Sequence, residues 1–333
     1  MSPTTALAPL VHTLPEGVLR VPLDTPFPVG PVNCYVLPGK PVTVVDPGLL
    51  YSDSVERLTQ RLAEEGLALA DVERVVVTHA HPDHFGMAGW VAEQAGARVV
   101  TGAPEVPKLL EGWLRDDMRA AVARLGVPLA ALADLPQVYA AVFDMVHGFD
   151  AVMIDAIEDG DVLELGGRAW QAHVTPGHAR GHLSLFDASS GTLLSGDHLL
   201  PEITPNPVME PDAACALGRR RSLVEYLASL ERFVALDPDV VLPGHGPAFS
   251  DTAVLVSAVR SHHARRAEEV LTVVRRLGAP TAYEVAAEMF PAQRDFGMLL
   301  GVSEVVGHLD LLVAEGLVEF EEGWPDRHRA RGV

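Results

Sequence analysis

His79-Ala80-His81-Pro82-Asp83-His84 follows directly on the apolar run Arg74-Val75-Val76-Val77-Thr78, so four potential metal ligands stand within six residues. Imidazole nitrogens and a carboxylate oxygen suit zinc and similar borderline divalent ions. A strand running into a tight loop can turn His79, His81, Asp83 and His84 into one cleft. One ion needs only three or four protein ligands, so this density points to two ions sharing a solvent nucleophile. The competing reading of six such residues alone is a histidine-rich surface turn.

The surrounding pattern favours the metal reading. Upstream, short strands over 18–23, 33–37 and 42–46 are punctuated by Pro and Gly, as hairpin loops would be. A helical period follows over 52–66, then the strand 74–78, a helix over 85–95 and a strand over 97–101. This alternation marks an α/β fold. It places the histidine loop at the carboxyl end of its strand, where open α/β sheets build their sites. Residues 104–150 read instead as amphipathic helices over 105–110, 113–125 and 129–146. They form an insertion that caps the cleft, contacts another copy or is purely structural. Strands resume over 161–165, 168–174, 182–187 and 192–195, with Gly166-Gly167 a hairpin turn rather than a phosphate loop. A helix over 217–235 and a strand over 239–242 complete a first unit, residues 1–250. From Thr252 a long helix reaches about 277. A second helix starts at Thr281, with Glu284 completing a capping box, and a third runs over 303–315 ahead of a strand over 316–321. Three helices and a small hairpin suggest a winged-helix module over 252–333.

Three further candidates sit beside glycine at strand ends: His178 in Thr-Pro-Gly-His, Asp197 in Ser-Gly-Asp-His, and His245 in Pro-Gly-His-Gly. Glycine permits the close backbone approach that a metal loop needs. With Asp46 and the His79-x-His81-x-Asp83-His84 loop, in this order, the chain resembles the metallo-β-lactamase superfamily of dinuclear metallohydrolases. The resemblance covers about residues 15–250. It implies a four-layer αββα sandwich with the metals at one edge of two sheets. It also implies that His79, His81 and His178 hold one ion, that Asp83, His84 and His245 hold the other, and that Asp197 bridges them. Asp46 and His182 would orient ligands by hydrogen bonding. The cofactors implied are two divalent ions, zinc first, with iron or manganese as alternatives. Their bridging hydroxide would attack the substrate, and Asp83 would steer it or accept its proton. His173 reads as packed or solvent-facing, His198 as pocket-lining and His147 as a substrate contact.

The tail, with Ser261-His262-His263-Ala264-Arg265-Arg266, resembles that of β-lactamase-like hydrolases whose relatives include hydroxyacylglutathione-hydrolase-like proteins, acyl thioesterases and an endoribonuclease. Charge bears on the choice. The chain carries a formal net charge of -20, which opposes adsorption to nucleic acid or anionic membrane. Residues 252–333 hold nine Arg against twelve Asp and Glu, 9 − 12 = -3, whereas a nucleic-acid-gripping module shows a basic face. The reading is therefore a small-molecule ester or thioester hydrolase. The alternatives are a single-strand-specific endoribonuclease, a regulator with a vestigial metal domain, and a di-iron redox protein. Arg219-Arg220-Arg221 is the strongest basic cluster, either a solvated helix face or a phosphate contact for an acyl carrier. Cys34 and Cys215 are too few for a disulfide framework and read as inert thiols. No leader pattern shows in residues 1–9, and no run of about 18 uninterrupted apolar residues occurs. The expectation is a cytoplasmic protein without a membrane partner, with a homodimer allowed.

Overall fold

A computed structural model describes residues 7–112, 116–212 and 214–332. One sheet carries, in spatial order, β1 (Leu19–Leu23), β2 (Val32–Leu37), β3 (Thr43–Val45), β4 (Arg74–Val77), β5 (Arg98–Gly102) and β6 (Ile154–Ile157). The first two pairings are antiparallel and the remaining three parallel. The other sheet contains β7 (Val162–Leu165), β8 (Arg168–Val174), β9 (Leu183–Asp187), β10 (Thr192–Gly196) and β11 (Val240–Pro243), with β11 at the edge beyond β10.

Alternation along the strands stacks the layers, because successive side chains leave opposite faces of a sheet. Val75 and Val77 of β4 pack towards α1 (Ser54–Glu64) and α3 (Ala88–Ala95), with the short α2 (Pro82–Phe85) between them in sequence. Val76 instead joins Val45, Val100, Leu185, Leu194 and Leu242 between the two sheets. Val77 is followed by Thr78, so the turn begins as the apolar run ends. After the insertion helices α4 (Val106–Glu111), α5 (Asp116–Arg124) and α6 (Leu135–Phe143) come α7 (Ser222–Leu236) and α8 (Thr252–Leu277). Leu193 and Val241 turn outward onto α7 and α8, against Leu230, Phe233 and Val256. The order is therefore helix, sheet, sheet, helix, as the family resemblance implies.

The tail continues with α9 (Ala282–Met289), α10 (Asp295–Ala314) and an antiparallel hairpin of β12 (Val318–Glu321) and β13 (Arg327–Ala330). Its three helices and hairpin match the expected succession. The third helix starts at Asp295, well before the residue 303 expected from the sequence. Among the described residues, α10 alone is long and apolar enough to cross a membrane, and most of that stretch is buried inside the fold. The capping box forms: Thr281 Oγ1 accepts from Glu284 N at 3.1 Å, and the Glu284 carboxylate accepts from Thr281 N at 2.8 Å. Thr281→Ala should cost about 1 kcal/mol of stability in a denaturant titration.

Several expectations are corrected. The helix over 85–95 is two helices, since Pro82 starts a single turn at α2 and the chain bends before α3. Trp113, where the second insertion helix was expected to begin, lies outside the described residues, which resume with α5 at Asp116. The helix over 129–146 is a 3-10 turn, Leu129–Leu132, followed by α6. The helix expected from 217 starts at Ser222, so the arginine cluster precedes it. Strand β6 was not anticipated: it is four residues long and half-exposed at a sheet edge.

The insertion is not a free-standing cap. Ala121, Val122, Leu125 and Val127 share one buried cluster with Val270, Val285, Val305 and Leu309 of the tail. Tyr283 N donates to Leu125 O at 3.0 Å, and Asp326 N donates to Arg124 O at 2.8 Å. The Arg124 guanidinium returns two bonds to the Asp326 carboxylate, at 2.9 and 3.0 Å.

Candidate metal centre

Each candidate side chain follows the carboxyl end of a strand. Asp46 leaves β3, His79 to His84 leave β4, His178 and His182 leave β8, Asp197 leaves β10 and His245 leaves β11. The two sheets meet at this edge. Leu183 N donates to Thr78 O at 2.7 Å, and Asn33 N to Gly244 O at 2.7 Å. Asn33 Nδ2 adds bonds to Pro243 O at 2.9 Å and Gly246 O at 2.8 Å, and Tyr35 Oη reaches Pro243 O at 2.8 Å. Strand β2 of one sheet thus fixes the His245 loop of the other.

The seven residues expected as ligands converge. His79, His81 and His178 form one group, His79, His84 and Asp197 another, and Asp83, His84 and His245 a third, each with its donor atoms within 4.8 Å of one another. Asp197 Oδ2 stands centrally, 3.4 Å from His84 Nε2, 3.6 Å from His245 Nε2 and 3.8 Å from His178 Nε2. Asp83 Oδ2 is 3.4 Å from His245 Nε2. Gly244 makes room for this: a Cβ there would lie 2.2 Å from Asp197 Oδ1 and 2.8 Å from His84 Cε1.

The proton positions follow from the partners. Thr78 Oγ1 donates to Asp46 Oδ2 at 2.8 Å and so accepts from His79 Nδ1 at 3.0 Å. His84 Nδ1 donates to Asp46 Oδ2 at 2.8 Å, His178 Nδ1 to Asn206 O at 3.0 Å, and His245 Nδ1 to Pro31 O at 2.8 Å. In their neutral form all four imidazoles therefore turn a bare Nε2 to the cleft. The lone pairs of His79 and His178 both face His81 Nδ1, at 2.8 and 2.9 Å. His84 Nε2, His245 Nε2 and Asp197 Oδ1 are buried with no hydrogen-bond partner. Converging lone pairs and carboxylates, braced from behind, are the donor set that divalent cations take.

Charge supports the same fit. Burial holds His79, His81 and His178 below the ordinary imidazole range, keeping them in the neutral form a metal requires. Burial acts the same way on His84 and His245, but the carboxylates around them outweigh it and push both upward, Asp197 foremost. Asp197 is held well below the usual carboxylate range, since His84 and His245 outweigh its own burial.

Asp46 lies behind the candidate ligands, bonded to His84. It adopts φ 48°, a left-handed turn at the end of β3, and accepts from Thr78 N at 2.8 Å as well as from Thr78 Oγ1 and His84. Asp46→Ala should weaken metal affinity roughly 10- to 100-fold, as loss of an outer partner does, measured by competition with a chromophoric chelator. His182 is occupied by hydrogen bonds: Nδ1 meets Thr175 Oγ1 at 3.1 Å, and Nε2 accepts from Asp197 N at 3.1 Å. His198 does not line the cleft. It is buried against Tyr226 and Phe233, with Nε2 on Ser229 Oγ at 2.8 Å. His147 pairs with Glu93 at the surface, and His173 is buried beside Arg232.

Glu105 was read only as the start of an insertion helix, yet it is fully buried beside the site. Its carboxylate accepts from Ala80 N at 2.9 Å and from Gly181 N at 2.7 Å. It thereby ties the loop of His79 and His81 to the loop of His178 and His182. Lys108 Nζ lies 3.7 Å from Glu105 and bonds Glu210. The available signal was position: an acidic residue three places after the end of β5, next to Pro104.

A family model described as the metallo-beta-lactamase superfamily matches residues 27–245. The probable metallo-hydrolase YqjP of Bacillus subtilis (strain 168) is 31% identical over 320 residues, spanning 92% of this chain and 96% of its own length. A crystal structure of a metallo-beta-lactamase family protein from Thermus thermophilus superposes with a TM-score of 0.80 at 30% identity, over 96% of this chain and 100% of its own. That of a beta-lactamase domain protein from Burkholderia ambifaria gives 0.75 at 26%, over 96% and 93%.

Proposed function

The chain belongs to the metallo-beta-lactamase superfamily and is a metal-dependent hydrolase, and from that premise we propose that it cleaves an ester or thioester of a small molecule at a dinuclear centre. His79, His81 and His178 would hold one divalent ion and Asp83, His84 and His245 the other, with Asp197 between the two groups and zinc the first choice. The observation that carries this reading is the set of four imidazoles whose Nδ1 atoms are committed to oxygen acceptors, leaving every Nε2 turned to the cleft that holds Asp197.

Such ions, when bound, acidify solvent into a nucleophile near neutral pH and polarise the acyl oxygen. The chain's own residues do the rest. Asp83 stands with Oδ2 beside His245, placed to orient the solvent molecule and take its proton. Asp46, Asn206 and Pro31 fix the ring planes from behind, so little reorganisation is left for the reaction. Glu105 fixes the relative position of the two loops.

The charge pattern supports an acyl rather than a polyanionic substrate. Arg219 is buried and doubly bonded to Asp310 at 2.5 and 2.9 Å, and Arg220 faces Glu225 and Asp212. Both are thereby neutralised within the protein. Arg180 faces Asp212. In the tail, Arg260, Arg266, Arg276, Arg327, Arg329 and Arg331 each stand within 4 Å of a glutamate. Nucleic-acid binding draws on lysines and arginines that can neutralise phosphates.

The test is a panel on the metal-reconstituted chain: acyl thioesters, lactones, phosphodiesters and short single-stranded RNA. Turnover is expected on an acyl substrate. RNA cleavage that disappears in His81→Ala, with no thioester or lactone turnover, would replace this reading by an endoribonuclease.

A further inference from the structure

Two neighbouring histidines of α8 meet a glutamate of α10. His263 is 1% exposed and His262 half-buried. The hydrogen bonds determine which nitrogens carry protons. His308 Nδ1 lies 2.7 Å from Glu304 O, which can only accept, so His308 donates there and its Nε2 is bare. That Nε2 faces His263 Nδ1 at 3.1 Å, so His263 donates in turn. His263 Nε2 is left with a buried lone pair and no hydrogen-bond partner. The donor atoms of His262, His263 and Glu304 lie within 4.8 Å of one another.

A bare imidazole nitrogen inside protein needs either a donor or a cation. The nearest positive group does not meet that need. Arg266 Nε stands 3.6 Å from Glu304 and is itself buried without a hydrogen-bond partner, while its Nη1 is committed to Glu269 at 2.8 Å. Burial pushes the Glu304 carboxyl up to about 7 in spite of that guanidinium. Burial also keeps His263 and His308 neutral, with values of about 3 and about 4. The relay from Glu304 O through His308 to His263 has the form that braces metal-bound imidazoles from behind.

We propose that His262, His263 and Glu304 form a separate structural site for a borderline divalent ion such as zinc, clamping α8 to α10. Two imidazoles and one carboxylate with solvent in the fourth position are the donor set of open zinc sites, and here the set joins two helices. The half-buried His262 gives the ion its way in. The site is independent of the catalytic proposal and shares no ligand with it.

The test uses the full chain, stripped with a chelator and dialysed against buffered zinc, with zinc per chain read by atomic emission. His262→Ala and Glu304→Gln should each hold one ion fewer than wild type at the same free zinc. Asp197→Ala, which alters the catalytic cleft, should still lose one further ion when combined with Glu304→Gln. The result is a difference between chains, so it stands apart from how many ions the catalytic cleft takes. Equal zinc in wild type and in both tail variants would overturn the site. A reading that needs no variant is protection of His262 from diethyl pyrocarbonate: zinc should slow its modification in wild type, and an unchanged rate would likewise overturn the proposal.

Discussion

Asp197→Ala is expected to abolish turnover and to lower the metal content of the purified chain. Its carboxylate lies within 4 Å of three imidazoles, those of His84, His178 and His245. Its removal leaves those nitrogens facing one another across a gap that Gly244 cannot fill. Losing the charge stabilisation of the transition state should cost about 4 kcal/mol, roughly a thousandfold in rate. Far-UV circular dichroism should stay that of wild type, because the sheets beneath keep their hydrogen bonds. Full activity in the variant, or full activity of the wild type after metal stripping, would refute a metal-centred mechanism.

Glu105→Ala should produce the largest loss of stability that a single side chain near the site can give. The carboxylate is fully buried and accepts two backbone N–H groups belonging to different loops. Alanine would take this acceptor from the N–H groups of Ala80 and Gly181 and remove the carboxylate 3.7 Å from Lys108. Removing one member of a buried charged network costs about 3–5 kcal/mol. Because the two loops carry His79, His81 and His178, metal affinity should fall with stability, by about 10- to 100-fold. Glu105→Gln, which keeps the shape and one acceptor, should lie between alanine and wild type. A chemical-denaturation midpoint for Glu105→Ala equal to that of wild type would show that the clamp contributes nothing.

Much of this was legible in the chain because its signals are local. The run of valines at 75–77 and the ligands that follow occupy one strand and one turn, and the glycines beside His178, Asp197 and His245 mark strand ends. The Thr281–Glu284 capping box is likewise contained within a single turn. What could not be read depends on contacts between distant segments. Glu105 acquires its role only when residues 80 and 181 are brought together. Arg219 looked like part of a basic patch until Asp310, 91 positions away, appeared against it. His198 neighbours Asp197 in sequence, but in the turn after β10 its ring packs against Tyr226 and Phe233 of α7. Strand β6 is too short and too exposed to show a period.

The core shared by α5 and the tail has a consequence for how proteins of this kind can diversify. The insertion and the tail are far apart in the gene, yet each covers apolar surface that the other would otherwise expose. A recombination event that imported a new tail alone would strand Val122 and Leu125 in water, and a new insertion alone would uncover Val285 and Leu309. A change in either segment that alters their shared surface therefore requires compensation in the other.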